Sequence, residues 1–141
     1  MLIRQLSIFL ENKRGRFNEV ATLLGREGIN MTAFNVSENS DFGILRLIVS
    51  DPTRAIELLK RNSYAVTVTE VICIQMPNIP GALASVMNII DGSGVSIEYM
   101  YAFSTGNKAL SIIRPDDLEK TLKALSDNKV ELLAANALFS L

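Results

Sequence analysis

The sequence predicts an α+β protein built from two copies of one small unit, each ordered strand–helix–strand–strand–helix–strand. Three observations predict it. Gly15 and Gly81 sit in similar turns 66 residues apart, and Gly28 and Gly94 repeat that spacing. Asn12 and Asn62 meet Asn78 and Asn128 at the same offset. Apolar positions switch between runs and helical stripes in the same order in both halves. Apolar matches such as Val20 with Val86 would be weak alone; glycines and asparagines at loops and helix ends make chance a poor explanation.

The elements follow in order. Residues 2–10 are rich in Leu, Ile and Phe and read as a buried strand. Asn12 to Gly15 is a turn. Phe17, Val20, Ala21, Leu23 and Leu24 form a helical stripe, with Gly28 as C-terminal cap. Residues 29–37 and 43–50 are strands around a polar turn. Asp51-Pro52 opens the second helix, with an N-cap and a proline at the first helical position. Tyr64 to Val71 is the fourth strand. The second copy places strands at 70–76, 95–103, 108–113 and 130–139, and helices at 82–91 and 116–126. In the middle turn the match slips by one residue, pairing Leu45 with Leu110. The repeats are assigned as 1–70 and 71–141, meeting near Glu70 with no flexible linker. Each unit should fold as an antiparallel sheet with both helices on one face, a ferredoxin-like arrangement. The two are expected to pair side by side into an eight-stranded sheet, which would relieve the marginal stability of such small units.

Composition narrows the function classes. Apolar residues make up 48% of the 141 residues, which excludes disorder as the main state. No apolar run reaches the roughly 18 residues of a membrane helix, and Met1 to Gln5 has no signal-peptide pattern. With one cysteine, Cys73, no intrachain disulfide forms. A cytoplasmic location is expected. Fourteen Lys and Arg face 15 Asp and Glu, so the basic excess of a nucleic-acid binder is missing. There is no histidine, hence no imidazole base, Ser-His or Cys-His couple, or imidazole metal ligand in this chain.

Ferredoxin-like units host many functions, so the site must decide. The third strands, Gly43 to Val49 and Lys108 to Ile113, carry no aromatic that could stack bases. A metal-chaperone version needs two close cysteines. What remains is the loop before the first helix. In copy two it reads Asn78-Ile79-Pro80-Gly81-Ala82-Leu83, followed by Gly94-Val95-Ser96-Ile97. In copy one it reads Asn12-Lys13-Arg14-Gly15-Arg16-Phe17, then Gly28-Ile29-Asn30-Met31. This pattern resembles the ACT domain over the whole chain, twice. Copy one departs at Arg14, where proline is usual.

The resemblance implies a regulatory module that binds a free amino acid and needs no cofactor or metal. It implies a ligand at the seam between the glycine loop of one copy and the second strand of the other. The physical sense is independent of it. Glycine permits close main-chain approach, and the free N–H groups of a helix start suit a carboxylate. The candidate ligand-binding residues are Asn12, Lys13, Arg14, Gly15, Arg16 and Asn30 in copy one. In copy two they are Asn78, Ile79, Pro80, Gly81, Ala82, Ser96, Glu98, Tyr99 and Tyr101. The expected partners are a free amino-acid effector, a second copy of the chain, and a separate enzyme or regulator that receives the signal. Plainer roles stand beside these: Gly15 and Gly81 as turn glycines, Asn12 and Asn78 as turn formers, Lys13, Arg14 and Arg16 as a solvated basic loop, and Cys73 as inert core. The alternatives are a ligand-free protein–protein interaction module, and a small enzyme using carboxylates or Lys108.

Overall fold

The structure is a computed structural model that describes residues 1–11, 13–38 and 42–141. Asn12 therefore lies outside the described residues. The chain divides into two compact units: Arg4–Thr69, and Glu70–Leu141 joined by Met1–Ile3. The first holds β1 (Ile3–Glu11), α1 (Arg16–Arg26), β2 (Met31–Glu38), β3 (Phe42–Val49), α2 (Pro52–Arg61) and the start of β4 (Ala65–Pro77). The second holds the rest of β4, then α3 (Ala82–Gly92), β5 (Ile97–Thr105), β6 (Lys108–Pro115), α4 (Leu118–Asp127), β7 (Glu131–Leu133) and α5 (Ala135–Phe139).

In the first unit the strand order is β2-β3-β1-β4, and in the second it is β5-β6-β4-β7. The strand registers are antiparallel, as the α+β, ferredoxin-like reading expects. Alternation puts Leu6, Ile8 and Leu10 of β1 and Leu45, Leu47 and Val49 of β3 on the helix side. They pack against Val20 and Leu24 of α1 and Ala55, Leu58 and Leu59 of α2. The second core repeats this with Ile72, Ile74 and Met76 under Val86, Ile90 and Leu125.

The repeat extends to polar detail. Asp51 and Asp117 cap α2 and α4, accepting hydrogen bonds from the N–H of Arg54 at 3.1 Å and of Lys120 at 3.0 Å. Asn62 and Asn128 close the same helices, each donating from Nδ2 at 2.8 Å to the carbonyl of Leu58 or Ala124. Gly28 and Gly94 follow α1 and α3 with φ of 70° and 78°, the left-handed geometry of a helix C-terminal stop.

Two sequence expectations are corrected. The register does not slip. Ile8 pairs with Leu45 and Ile74 with Ser111, so the partner of Leu45 is Ser111, not Leu110. The serine at a core position hid the true match. The strand expected at 130–139 is only Glu131–Leu133, and Ala135–Phe139 is helical. The run Ala134-Ala135-Asn136-Ala137 lacks the β-branched residues that favour an extended chain, and alanine is the best helix former. An apolar run this short carries no periodicity that separates the two outcomes.

Candidate functional site

Each glycine loop is a left-handed turn feeding a helix. Gly15 has φ 87° and is the N-cap of α1; Gly81 has φ 89° and is the N-cap of α3. Neither helix start has a side-chain cap, unlike α2 and α4. Part of the first-turn N–H set, and the positive end of the helix dipole, therefore has no side-chain acceptor at the cap. A Cβ on either glycine would meet nothing within 4 Å, so the glycine is required by backbone angle rather than by crowding.

Around the second loop the site is a cleft of about 780 Å³. Met76, Val86, Ile89 and Val130 line its apolar floor, with Ile79, Pro80, Gly81 and Ala82 along one side. Lys108, Lys129 and Glu131 add charge. Asn78 is not part of the lining; its backbone N–H donates to the carbonyl of Asn107 at 2.8 Å and fixes the loop to the β5–β6 turn.

Around the first loop the charges are already paired. Glu11 meets Lys13 Nζ at 3.0 Å and Arg16 Nη2 at 3.1 Å. Arg16 Nη1 donates to Glu19 at 3.1 Å, and Tyr64 Oη donates to the same carboxylate oxygen at 2.9 Å. The Lys13 ammonium and then the Arg16 guanidinium hold the Glu11 carboxyl below its ordinary value, chiefly through their hydrogen bonds. Tyr64, then Arg16, hold Glu19 below its own. Burial, then Glu19, pushes the Tyr64 hydroxyl up. Arg14 is exposed in the turn.

The second-strand candidates lie apart from these loops within their own units. Asn30 donates its N–H to Ser50 Oγ at 2.9 Å, and Ser96 donates to Asp116 Oδ1 at 3.1 Å. In each case the return bond runs from Ser50 or Asp116 N–H to the carbonyl, at 3.0 and 2.9 Å. Both residues thus brace the link between the third strand and the helix after it. Glu98 pairs with Arg114 at 3.7 Å. Tyr99 and Tyr101 are half-buried on one face of β5, opposite Arg114 and Ile112. None of Ser96, Glu98, Tyr99 or Tyr101 lines the 780 Å³ cleft. The sequence reading missed Lys129, Val130 and Glu131, which follow α4 and also line the cleft. Their position 66 residues after Ser63-Tyr64-Ala65 was the available signal.

Cys73 is fully buried, and burial pushes its thiol up to about 12. Among the described residues no cluster of three carboxylate or thiol groups is placed to hold a metal, and no helix is long and apolar enough to cross a membrane.

Two tandem βαββαβ units with glycine-led first helices define the class: a pair of ACT domains, a regulatory module. The family model for an ACT domain pair matches residues 1–141, and the chain belongs to that family. It is similar to protein BT0572 from Bacteroides thetaiotaomicron, with 51% identity, a TM-score of 0.96, and coverage of 100% of this chain and 98% of that one. It shares its fold with the ligand-free regulatory subunit of aspartate kinase from Thermus thermophilus, at 16% identity, TM-score 0.65, and coverage of 89% and 93%. The regulatory subunit of aspartate kinase from Thermus flavus is alike at 16% identity and TM-score 0.64, with coverage of 90% and 93%. No curated protein matches in sequence.

Proposed function

We propose that this chain is a regulatory sensor that binds a free amino acid at a glycine loop and has no catalytic role of its own. The observation that carries the reading is the glycine-led helix start of α3, uncapped by any side chain and opening on a cleft with an apolar floor. An α-carboxylate suits the N–H groups there, and an apolar side chain suits the floor. The name of the Thermus relatives, regulatory subunits of an amino-acid kinase, supports a regulatory output. In this reading the chain acts in the cytoplasm, as a homodimer, and passes its signal to a separate enzyme or regulator. Among the loop residues, Ile79, Pro80, Gly81 and Ala82, which line the cleft, are the ones proposed to meet the ligand.

A thermal-shift screen against the twenty amino acids tests the reading. A ligand that binds the folded state alone at 100 times its Kd adds about 2.7 kcal/mol of stability, which is easily seen. One or two hits support it. A flat response on folded protein sinks it and favours the second reading, a ligand-free interaction module. Phe9 and Phe42 favour that alternative: both are exposed, with ring centroids 5.9 Å apart on the face away from the helices.

A further inference from the structure

The two repeats differ most where they should be alike. In the second, Ala82, Ser85 and Val130 are small and leave the 780 Å³ cleft open. In the first, the matching positions are Arg16, Glu19 and Tyr64, which bond to one another across the same space. What remains around them is split into two smaller clefts, one of about 460 Å³ lined by Arg16, Glu19, Leu23 and Tyr64, and one of about 240 Å³ beside Phe9, Leu10, Arg16 and Tyr64. The three side chains act as a latch, and Glu11 holds Arg16 from behind.

The charges of the open cleft are arranged for a particular guest. Lys108 pairs with Pro77 on one side of β4, and Glu131 pairs with Gln75 on the other. Two strand spacings and a two-residue offset along β4 separate their backbones by about 12 Å. Neither they nor Lys129 has an ion-pair partner among the described residues. Charges of both signs in the lining beside Met76, Val86, Ile89 and Val130 match a zwitterion with an apolar side chain. Lys129 sits at φ 56°, a backbone region that most side chains avoid, as does Ser63 at φ 66° in the matching turn of the first repeat.

We infer that the chain takes one ligand, an α-amino acid with a bulky apolar side chain, in the cleft of the second repeat, and that the Arg16–Glu19–Tyr64 latch closes the first. The inference rests on the amino-acid reading above. The ligand carboxylate meets Lys108 and Lys129 near the start of α3, its ammonium meets Glu131, and its side chain covers Val86, Ile89 and Val130.

Titration calorimetry with leucine, methionine and phenylalanine tests it on three proteins. The unaltered chain should bind at least one of them with one site per chain. The triple variant A82R/S85E/V130Y builds the first repeat's latch into the second and should bind at least about tenfold more weakly. Lys129→Gly should keep or raise the melting temperature, because the strained backbone is relieved. Its affinity should fall about tenfold, because no ammonium at that position meets the ligand carboxylate. No binding of any of the twenty amino acids to the unaltered chain would remove the amino-acid reading itself. Binding at two sites, binding confined to polar amino acids, or unchanged affinity in a folded latch variant would leave that reading standing and overturn this one. If the triple variant does not fold, Lys129→Gly decides: unchanged affinity overturns the inference.

Discussion

Ser111 offers a sharp test of what an unpartnered polar group costs in the second core. Its side chain is on the helix side of β6, beside Ile74, at the place where the first repeat has Leu45. The residue is fully buried, and its hydroxyl has no hydrogen-bond partner. Burying an unpartnered hydroxyl costs about 1–3 kcal/mol. Ser111→Ala removes the hydroxyl and almost no apolar surface, so it should stabilise the protein by about 1–2 kcal/mol. Unfolding entropy is about 2.1 cal/mol/K per residue, so each kcal/mol corresponds to roughly 3 °C in Tm for a chain of this length. Urea unfolding followed by circular dichroism reads the change as a higher midpoint at constant slope. A loss of about 1 kcal/mol or more would refute the reasoning, since it would mean that the hydroxyl is bonded in the native state.

Three further outcomes are expected. Gly81→Ala should cost about 1–2 kcal/mol of stability and Gly81→Asn less, because φ 89° disfavours a Cβ and asparagine tolerates the left-handed region best; equal stability of all three would contradict the backbone argument. Glu19 titrates below its ordinary value in the fold, so the latch contributes stability above about pH 4.5 that disappears as pH falls through the lowered folded pKa. Stability measured from about pH 6 down to about pH 3 should therefore fall less steeply in Tyr64→Phe, which removes the largest cause of the shift; parallel curves would rule the latch out as its source. Cys73, buried and with its thiol pushed up to about 12, should resist a disulfide reagent at neutral pH until the protein unfolds.

Much of the architecture was legible because each repeat ends its elements with residues of narrow conformational use. Gly28 and Gly94 stop helices with positive φ, and Asp51 with Pro52 starts one. Such residues keep their meaning whatever packs around them. The register of β3 and β6 was misread because it was matched on hydrophobicity, and Ser111 breaks that code inside a core. The tail was misread because Ala135–Phe139 is decided by helix propensity and by the burial of Leu138, not by a period. At the site, the glycine loops were legible and the cleft was not. Part of its lining, Lys129 to Glu131, comes from the turn after α4 and the start of β7, far along the chain from Gly81. Lys13 and Arg16 read as a free basic cluster, and only the fold shows Glu11 neutralising both.

The most direct test of the central claim is a backbone amide NMR titration of the intact chain with the amino acid that the thermal screen selects. The expected result is a set of saturable shifts concentrated on Gly81, Ala82, Leu83, Lys129 and Val130, with Gly15, Arg16 and Tyr64 nearly still. Shifts confined to residues remote from both glycine loops, or no saturable shift with any of the twenty amino acids, would contradict it.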